Sequence, residues 1–237
     1  MSSISSRQCR VEAAIIDLDG TMVDTLDDFV AALQGMTRAL GLGEVDREFV
    51  EHSIGKGSEH LVRVVLDRLC IEGGGSDRAA SLFGDAFVIY QRCYSEVNGR
   101  HVRLYPGVRE GVQALADGGL ALACLTNKPT RFAIDLLEQL GLARHFAVTF
   151  GGDAFERKKP DPLPLIETCR ALGVAPAQAV MIGDSSNDAQ AGRTAGCGVV
   201  LVSYGYNHGR PVREIEADAY VDSLSEVQAL LEAIPKG

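Results

Sequence analysis

Apolar and polar positions fall into alternating blocks along this chain of 237 residues. Ala13-Ala14-Ile15-Ile16 is a short, wholly apolar run that stops at Asp17. Such a run, with no polar alternation, has both faces covered and predicts a buried parallel strand. Similar runs recur at residues 120–125, 147–150, 179–182 and 198–202. Helical spacing lies between them. Over residues 130–140, Phe132, Ile134, Leu136, Leu137 and Leu140 line one face before Gly141 stops the helix. Residues 108–116 and 163–172 read the same way. Strands alternating with helices predict an α/β fold, a doubly wound parallel sheet covered on both faces. A sheet of this kind binds its ligand at the carboxyl ends of its strands.

Residues 23–99 break the alternation. Helical candidates lie at 26–40, 49–53, 59–70 and 79–97, with turns at Gly41-Leu42-Gly43 and Gly73-Gly74-Gly75, and no strand is expected among them. The pattern predicts a core built from residues 1–22 and 100–237, with residues 23–99 inserted as a smaller helical domain.

Composition narrows the function. The formal net charge is −9, which argues against a nucleic-acid or anionic-membrane binder, since both need a broad basic face. An anionic substrate must then be held by a local cluster of positive charge or by a metal. The longest apolar run, residues 120–125, is far short of the ~20 residues of a membrane span. Residues 1–7 lack the apolar centre of a secretory signal. Six cysteines are scattered without a C-x-x-C pair, which favours reduced thiols and a cytoplasmic setting.

Four clusters carry chemistry, each where a strand is expected to end. In Asp17-Leu18-Asp19-Gly20-Thr21 two carboxylates follow an apolar strand two positions apart, so one turn can aim both into the same crevice. The chance of this motif anywhere in the chain is roughly one in a thousand. An Asp can attack phosphorus, and a second can protonate the leaving oxygen and then deprotonate water. Two anions facing a phosphate need a cation, which implies Mg²⁺. Thr126-Asn127-Lys128-Pro129 precedes a helix and offers a hydroxyl and free N–H groups to a phosphate. In Lys158-Lys159-Pro160-Asp161-Pro162 the lysine beside the proline, Lys159, is the better candidate to neutralise phosphate, and Lys158 faces solvent. Gly183-Asp184-Ser185-Ser186-Asn187-Asp188 adds the remaining carboxylates a hard divalent ion takes.

These four motifs in this order make the chain resemble the haloacid dehalogenase-like phosphatases over nearly its whole length, with the helical insert in the place of their cap. Leu125 to Thr130, Gly151-Gly152-Asp153 and Tyr204-Gly205-Tyr206-Asn207 make it look most like phosphoglycolate phosphatases. The resemblance implies Asp17 as nucleophile and metal ligand, and Asp19 as general acid/base whose backbone carbonyl also reaches the metal. It implies Thr126 and Asn127 as the phosphate-binding pair, Lys159 as the charge-balancing lysine, Asp184 as direct metal ligand and Asp188 as its supporting carboxylate. Gly20, in the Asp-Gly turn, joins the substrate-binding set. Ser53-Ile54-Gly55-Lys56-Gly57-Ser58 looks like the family's substrate loop, with Lys56 as a candidate contact to the leaving group. The expected partner is a small phosphate ester, for a monomer or homodimer. A sugar- or nucleoside-type monophosphate, or a sugar phosphomutase reaction, is the alternative. A dehalogenase would not need Asp19, and a regulatory protein would be expected to have lost one of the acids.

Overall fold

The computed structural model describes residues 10–70 and 75–233. Strand β1 (Ala13–Ile16) is wholly buried, as its unbroken apolar run requires. β2 (Val23–Asp24) leads into four helices, α1 (Leu26–Ala39), α2 (Arg47–Ser53), α3 (Ser58–Cys70) and α4 (Gly75–Val97). The chain returns through β3 (Arg103–Leu104) to α5 (Val108–Asp117), β4 (Ala121–Leu125), α6 (Thr130–Gln139), β5 (Val148–Phe150) and α7 (Leu163–Leu172). It closes with β6 (Ala179–Gly183), α8 (Ser186–Ala195), β7 (Gly198–Val202), β8 (Ala219–Val221) and α9 (Val227–Ala233).

Among the described residues, six strands form one parallel sheet in the order β5-β4-β1-β6-β7-β8. β1 is central, so the chain winds outward from it in both directions and leaves a crevice at its carboxyl end. Successive side chains of β1 take opposite faces. Ala14 and Ile16 pack with Val112 of α5 and Leu136 of α6, whereas Ala13 and Ile15 pack with Leu165 of α7 and Ala191 of α8. Both faces are thereby covered. β8 is absent from the sequence pattern, because three residues (Ala-Tyr-Val) cannot establish a period.

The four inserted helices bury an apolar cluster of their own, with Leu33, Met36, Val62, Leu66, Tyr90 and Tyr94 at its centre. One expectation is corrected here. Val23–Asp24, inside the stretch read as strandless, pairs antiparallel with Arg103–Leu104. Two residues carry no detectable alternation, yet they join the outgoing and returning chains at the root of the insert. The Tyr206 hydroxyl clamps that root, accepting from Thr25 N at 2.9 Å and Leu26 N at 3.1 Å. Buried Asp28 ties α1 to the returning chain by accepting from Gly99 N at 2.6 Å and His101 N at 2.9 Å. Gly75 opens α4, whereas the turn expected at Gly73-Gly74, residues 1–7 and Cys9 lie outside the described residues. The other five cysteines are free thiols. No helix of the described residues is long and apolar enough to cross a membrane.

Candidate active site

Four loops converge at the carboxyl edge of the sheet. Asp17 extends β1, its N–H donating to the Ile182 carbonyl at 2.9 Å. The chain then turns sharply at Gly20, whose φ of +88° is disfavoured for side-chain-bearing residues. A Cβ there would lie 2.3 Å from Asp184 Oδ2, so glycine also lets the turn press against the neighbouring strand end. At the end of β6 a Cβ on Gly183 would sit 2.3 Å from Asp188 Cγ. Asp188 is fixed by the start of α8, accepting from Ser185 N at 3.1 Å and Ser185 Oγ at 2.7 Å. A carboxylate in the first turn also suits the positive end of the helix.

Charge is crowded at this edge. Oxygens of Asp17, Asp184 and Asp188 lie within 4.8 Å of one another, and all three residues are buried. Lys159 lies among them, 3.0 Å from Asp17 Oδ1 and 2.7 Å from Asp188 Oδ1, and donates to the Leu125 carbonyl at 2.7 Å. Burial works against the Lys159 charge, but Asp17 and Asp188 together overcome it and hold its pKa above the lysine range. Burial raises Asp17 to about 7; Lys159 opposes the rise, and Asp188 and Asp19 add to it. Asp184 is pushed well above the carboxylate range by burial first, then by Asp188 and Asp17, against the hydrogen bonds from Tyr206 N and Thr21 Oγ1. One lysine does not balance three carboxylates. A buried set of oxygen donors with excess negative charge fits a hard divalent cation. Both oxygens of Asp188 are already engaged, which suits it to a supporting position behind Asp17 and Asp184.

The other named residues divide between this edge and its surroundings. Thr126 and Asn127 follow β4 and are buried. Asn127 Nδ2 donates to the Lys159 carbonyl and, across to the insert, to the Gly55 carbonyl, both at 2.8 Å. Asn187 Nδ2 reaches the same Gly55 carbonyl at 3.2 Å, so the insert loop is latched over the strand ends. The cavity left between has a volume of ≈ 30 Å³, room for about two waters. Asp17, Asp19, Thr126 and Lys128 line it from the core, and Gly55 and Ser58 from the insert. Gly20 lies beside Asp184 and Tyr206. Lys56 is exposed and lines a separate, wider cleft of ≈ 880 Å³ with Lys158, Lys159 and Arg210. Lys158 is only half-buried and stands 3.9 Å from Glu59.

Asp19 has a partner that the sequence reading missed. Lys128 Nζ donates to its two oxygens at 2.7 and 3.0 Å, and Thr25 Oγ1 donates to Oδ1 at 2.8 Å. The Lys128 side chain is only 1 % exposed, so the pair is desolvated and cannot be discounted as a surface contact. A signal was present. Lys128 stands two residues before α6, where the helix dipole disfavours a cation, and a lysine there calls for a nearby anion.

Comparison with known proteins agrees with this geometry. A family model described as haloacid dehalogenase-like hydrolase matches residues 14–202. A phosphoglycolate phosphatase of Thiobacillus denitrificans is 43% identical over 223 residues, 93% of this chain and 96% of the relative. One from Nitrosospira multiformis is 42% identical over 222 residues, covering 94% and 96%. A crystal structure described as a predicted phosphoglycolate phosphatase from Haemophilus somnus superposes with a TM-score of 0.87 at 30% identity, covering 94% of this chain and 98% of that one.

Proposed function

The chain belongs to the haloacid dehalogenase-like hydrolases and is a phosphoric monoester hydrolase, and from that premise we propose that it cleaves 2-phosphoglycolate or a closely similar small phosphate ester with Mg²⁺ as cofactor. The observation that carries this reading is the buried cluster of Asp17, Asp184 and Asp188 around Lys159, beside a cavity with Asp17, Asp19 and Thr126 in its wall. Asp17, Asp184 and the Asp19 backbone carbonyl would hold the ion, with Asp188 supporting them. When bound, Mg²⁺ supplies the positive charge that lets a phosphate dianion approach a carboxylate. In this reading residues 1–22 and 100–237 form the catalytic core and residues 23–99 a cap that opens to admit substrate. The residues named in the cavity wall come from a single chain, compatible with a monomer or homodimer.

The chain's residues divide the reaction into two displacements. An Asp17 carboxylate oxygen attacks phosphorus while Thr126 Oγ1, the Asn127 N–H and Lys159 hold the phosphoryl oxygens. The bond from phosphorus to the leaving oxygen breaks, and protonated Asp19 gives that oxygen its proton. Asp19, now a carboxylate, takes a proton from water as the water oxygen attacks the aspartyl-phosphate. Inorganic phosphate leaves and Asp17 is regenerated. The latch at Gly55 keeps bulk water out during the first step.

The wide cleft favours a second reading, in which a longer leaving group such as a sugar or nucleoside extends past Lys56. A phosphate-release screen with Mg²⁺ over some dozens of phosphomonoesters separates the two. The first reading expects the highest kcat/KM for 2-phosphoglycolate, and is overturned if sugar or nucleoside monophosphates exceed it.

A further inference from the structure

Lys128 belongs to the loop after β4, yet its ammonium packs against the insert. Its Nζ lies 4.6 Å from the ring centre of Phe29 in α1 and 5.0 Å from that of Tyr94 in α4. Those two rings stack with centres 5.3 Å apart, and Tyr94 meets Phe132 of α6 edge-on at 4.9 Å. A row of three aromatic residues thus runs from the insert back to the core. Aromatic faces stabilise an ammonium without offering it an acceptor of normal strength. Among the described residues, both hydrogen bonds of the Lys128 ammonium go to Asp19.

The two oxygens of Asp19 are not used alike. Oδ1 accepts from Lys128 Nζ at 2.7 Å and from Thr25 Oγ1 at 2.8 Å. A carboxylate oxygen has about two lone-pair sites, so Oδ1 is saturated. Oδ2 accepts, among the described residues, from Lys128 alone at 3.0 Å, and keeps one site for a reacting proton. Asp19, Lys128 and Phe29 all line the cavity. A carboxylate held by one donor can still turn about its side-chain bonds. Held from two sides, by Thr25 at the root of the insert and by Lys128 across the cavity wall, it has one orientation. The rings keep water from this pair, which strengthens it relative to the same contact at a surface. Burying two charges costs about as much desolvation as their attraction regains, so the fold alone does not call for the pair.

We propose that Lys128 is a positioning residue for Asp19, and that Phe29 and Tyr94 form the seat that fixes it. This rests on the phosphatase reading and on the role of Asp19 within it. Lys128 acts through Asp19, turning Oδ2 toward the space that the leaving oxygen and then the attacking water pass through. Its part is separate from that of Lys159, which faces Asp17 and Asp188. Because the seat is built by the insert and the lysine comes from the core, a change in either ring reaches Asp19 only by way of Lys128.

The test is a double-variant cycle on kcat, with Mg²⁺ and the phosphomonoester that the screen ranks first. Lys128→Met keeps an unbranched buried side chain and removes the ammonium. It should lower kcat about 30-fold to 100-fold, close to the loss from Asp19→Asn, and change KM less than about threefold. In the Asp19→Asn background the same change should lower kcat less than about threefold, because residues acting as one unit do not add. With an aryl phosphate, Lys128→Met should accumulate a phosphoryl group on Asp17, since the second displacement lacks an oriented base. A lysine that only supports packing would slow both displacements and leave no adduct. Phe29→Leu keeps the ion pair and loosens its seat, and should lower kcat about threefold to tenfold in the parent and under about twofold with Asp19→Asn. Should Lys128→Met fail to fold, Phe29→Leu decides by the same cycle. Equal losses in both backgrounds, or either variant at the parent's kcat, would overturn the positioning role and leave the phosphatase reading standing. Absence of phosphate release from every phosphomonoester would overturn both.

Discussion

The strand-end cluster and the cap face opposite it satisfy their polar atoms in opposite ways. At the strand ends Asp184 accepts from Thr21 and Tyr206, Asp188 from Ser185 and Lys159, and Asp17 Oδ1 from Leu18 N at 2.8 Å. In the apolar cluster of the insert, the Tyr90 and Tyr94 hydroxyls have no partner among the described residues. The first region is pre-organised and carries a surplus of negative charge; the second is hydrogen-bonding capacity left open. Chemistry common to many phosphate esters belongs to the first. Substitutions on the two sides should therefore fail differently.

Asp17→Asn gives the largest effect. Turnover should fall at least about 10⁴-fold on every substrate, as expected when a covalent nucleophile is lost, with the ratio between substrates undefined rather than altered. The same change removes one of three crowded carboxylates, so Tm of the metal-free protein should rise. Phosphate release near the parent rate would break the assignment.

Asp19→Asn comes next, with a loss of ~10² or more from general acid–base help. The loss should shrink in the first step for an aryl phosphate, whose leaving group needs no proton. A small and equal loss on all substrates would mean that Asp19 only shapes the loop.

Metal should act on the strand-end region alone. Mg²⁺ at about a hundred times its Kd should stabilise the parent by roughly 2.7 kcal/mol, measurable as a rise in Tm. Asp184→Asn should abolish most of that rise, whereas Tyr90→Phe should keep it. An equal Mg²⁺ response in Asp184→Asn would place the ion elsewhere.

The smallest effect belongs to Lys56→Ala. An exposed lysine in a wide cleft is screened, and KM for 2-phosphoglycolate should shift about twofold or less. A tenfold rise would move the leaving group into the outer cleft and favour the second reading.

This contrast also explains what the sequence revealed. Asp17, Thr126, Lys159 and Asp184 follow strands whose apolar runs are unmistakable, and the parallel sheet brings those ends together by topology alone. Asp188 was readable because it forms, with Asp184, an acidic pair just past the apolar run of β6. β2 and β3 were not, since two residues have no period. Lys128 offered only the local hint of a cation before a helix start, and its surroundings were hidden for a different reason. They depend on how α1 and α4 pack over the β4 loop and bring Phe29 and Tyr94 to it, contacts between residues 99 and 34 positions apart that no local pattern encodes. Lys56, flanked by glycines, drew attention by its setting, yet the fold turns it into the outer cleft.

The central claim is that Asp17 becomes covalently phosphorylated. Asp19→Asn retains the nucleophile but lacks the base for the second step, so the intermediate should accumulate with a substrate whose leaving group needs no proton. Incubation of this variant with an aryl phosphate and Mg²⁺, acid quench, and mass analysis of the peptide containing Asp17 measures it directly. The account predicts a mass gain of one phosphoryl group on Asp17, absent in the Asp17→Asn, Asp19→Asn double variant. Steady phosphate release with Asp17 unmodified, or the same adduct on another residue, would contradict it.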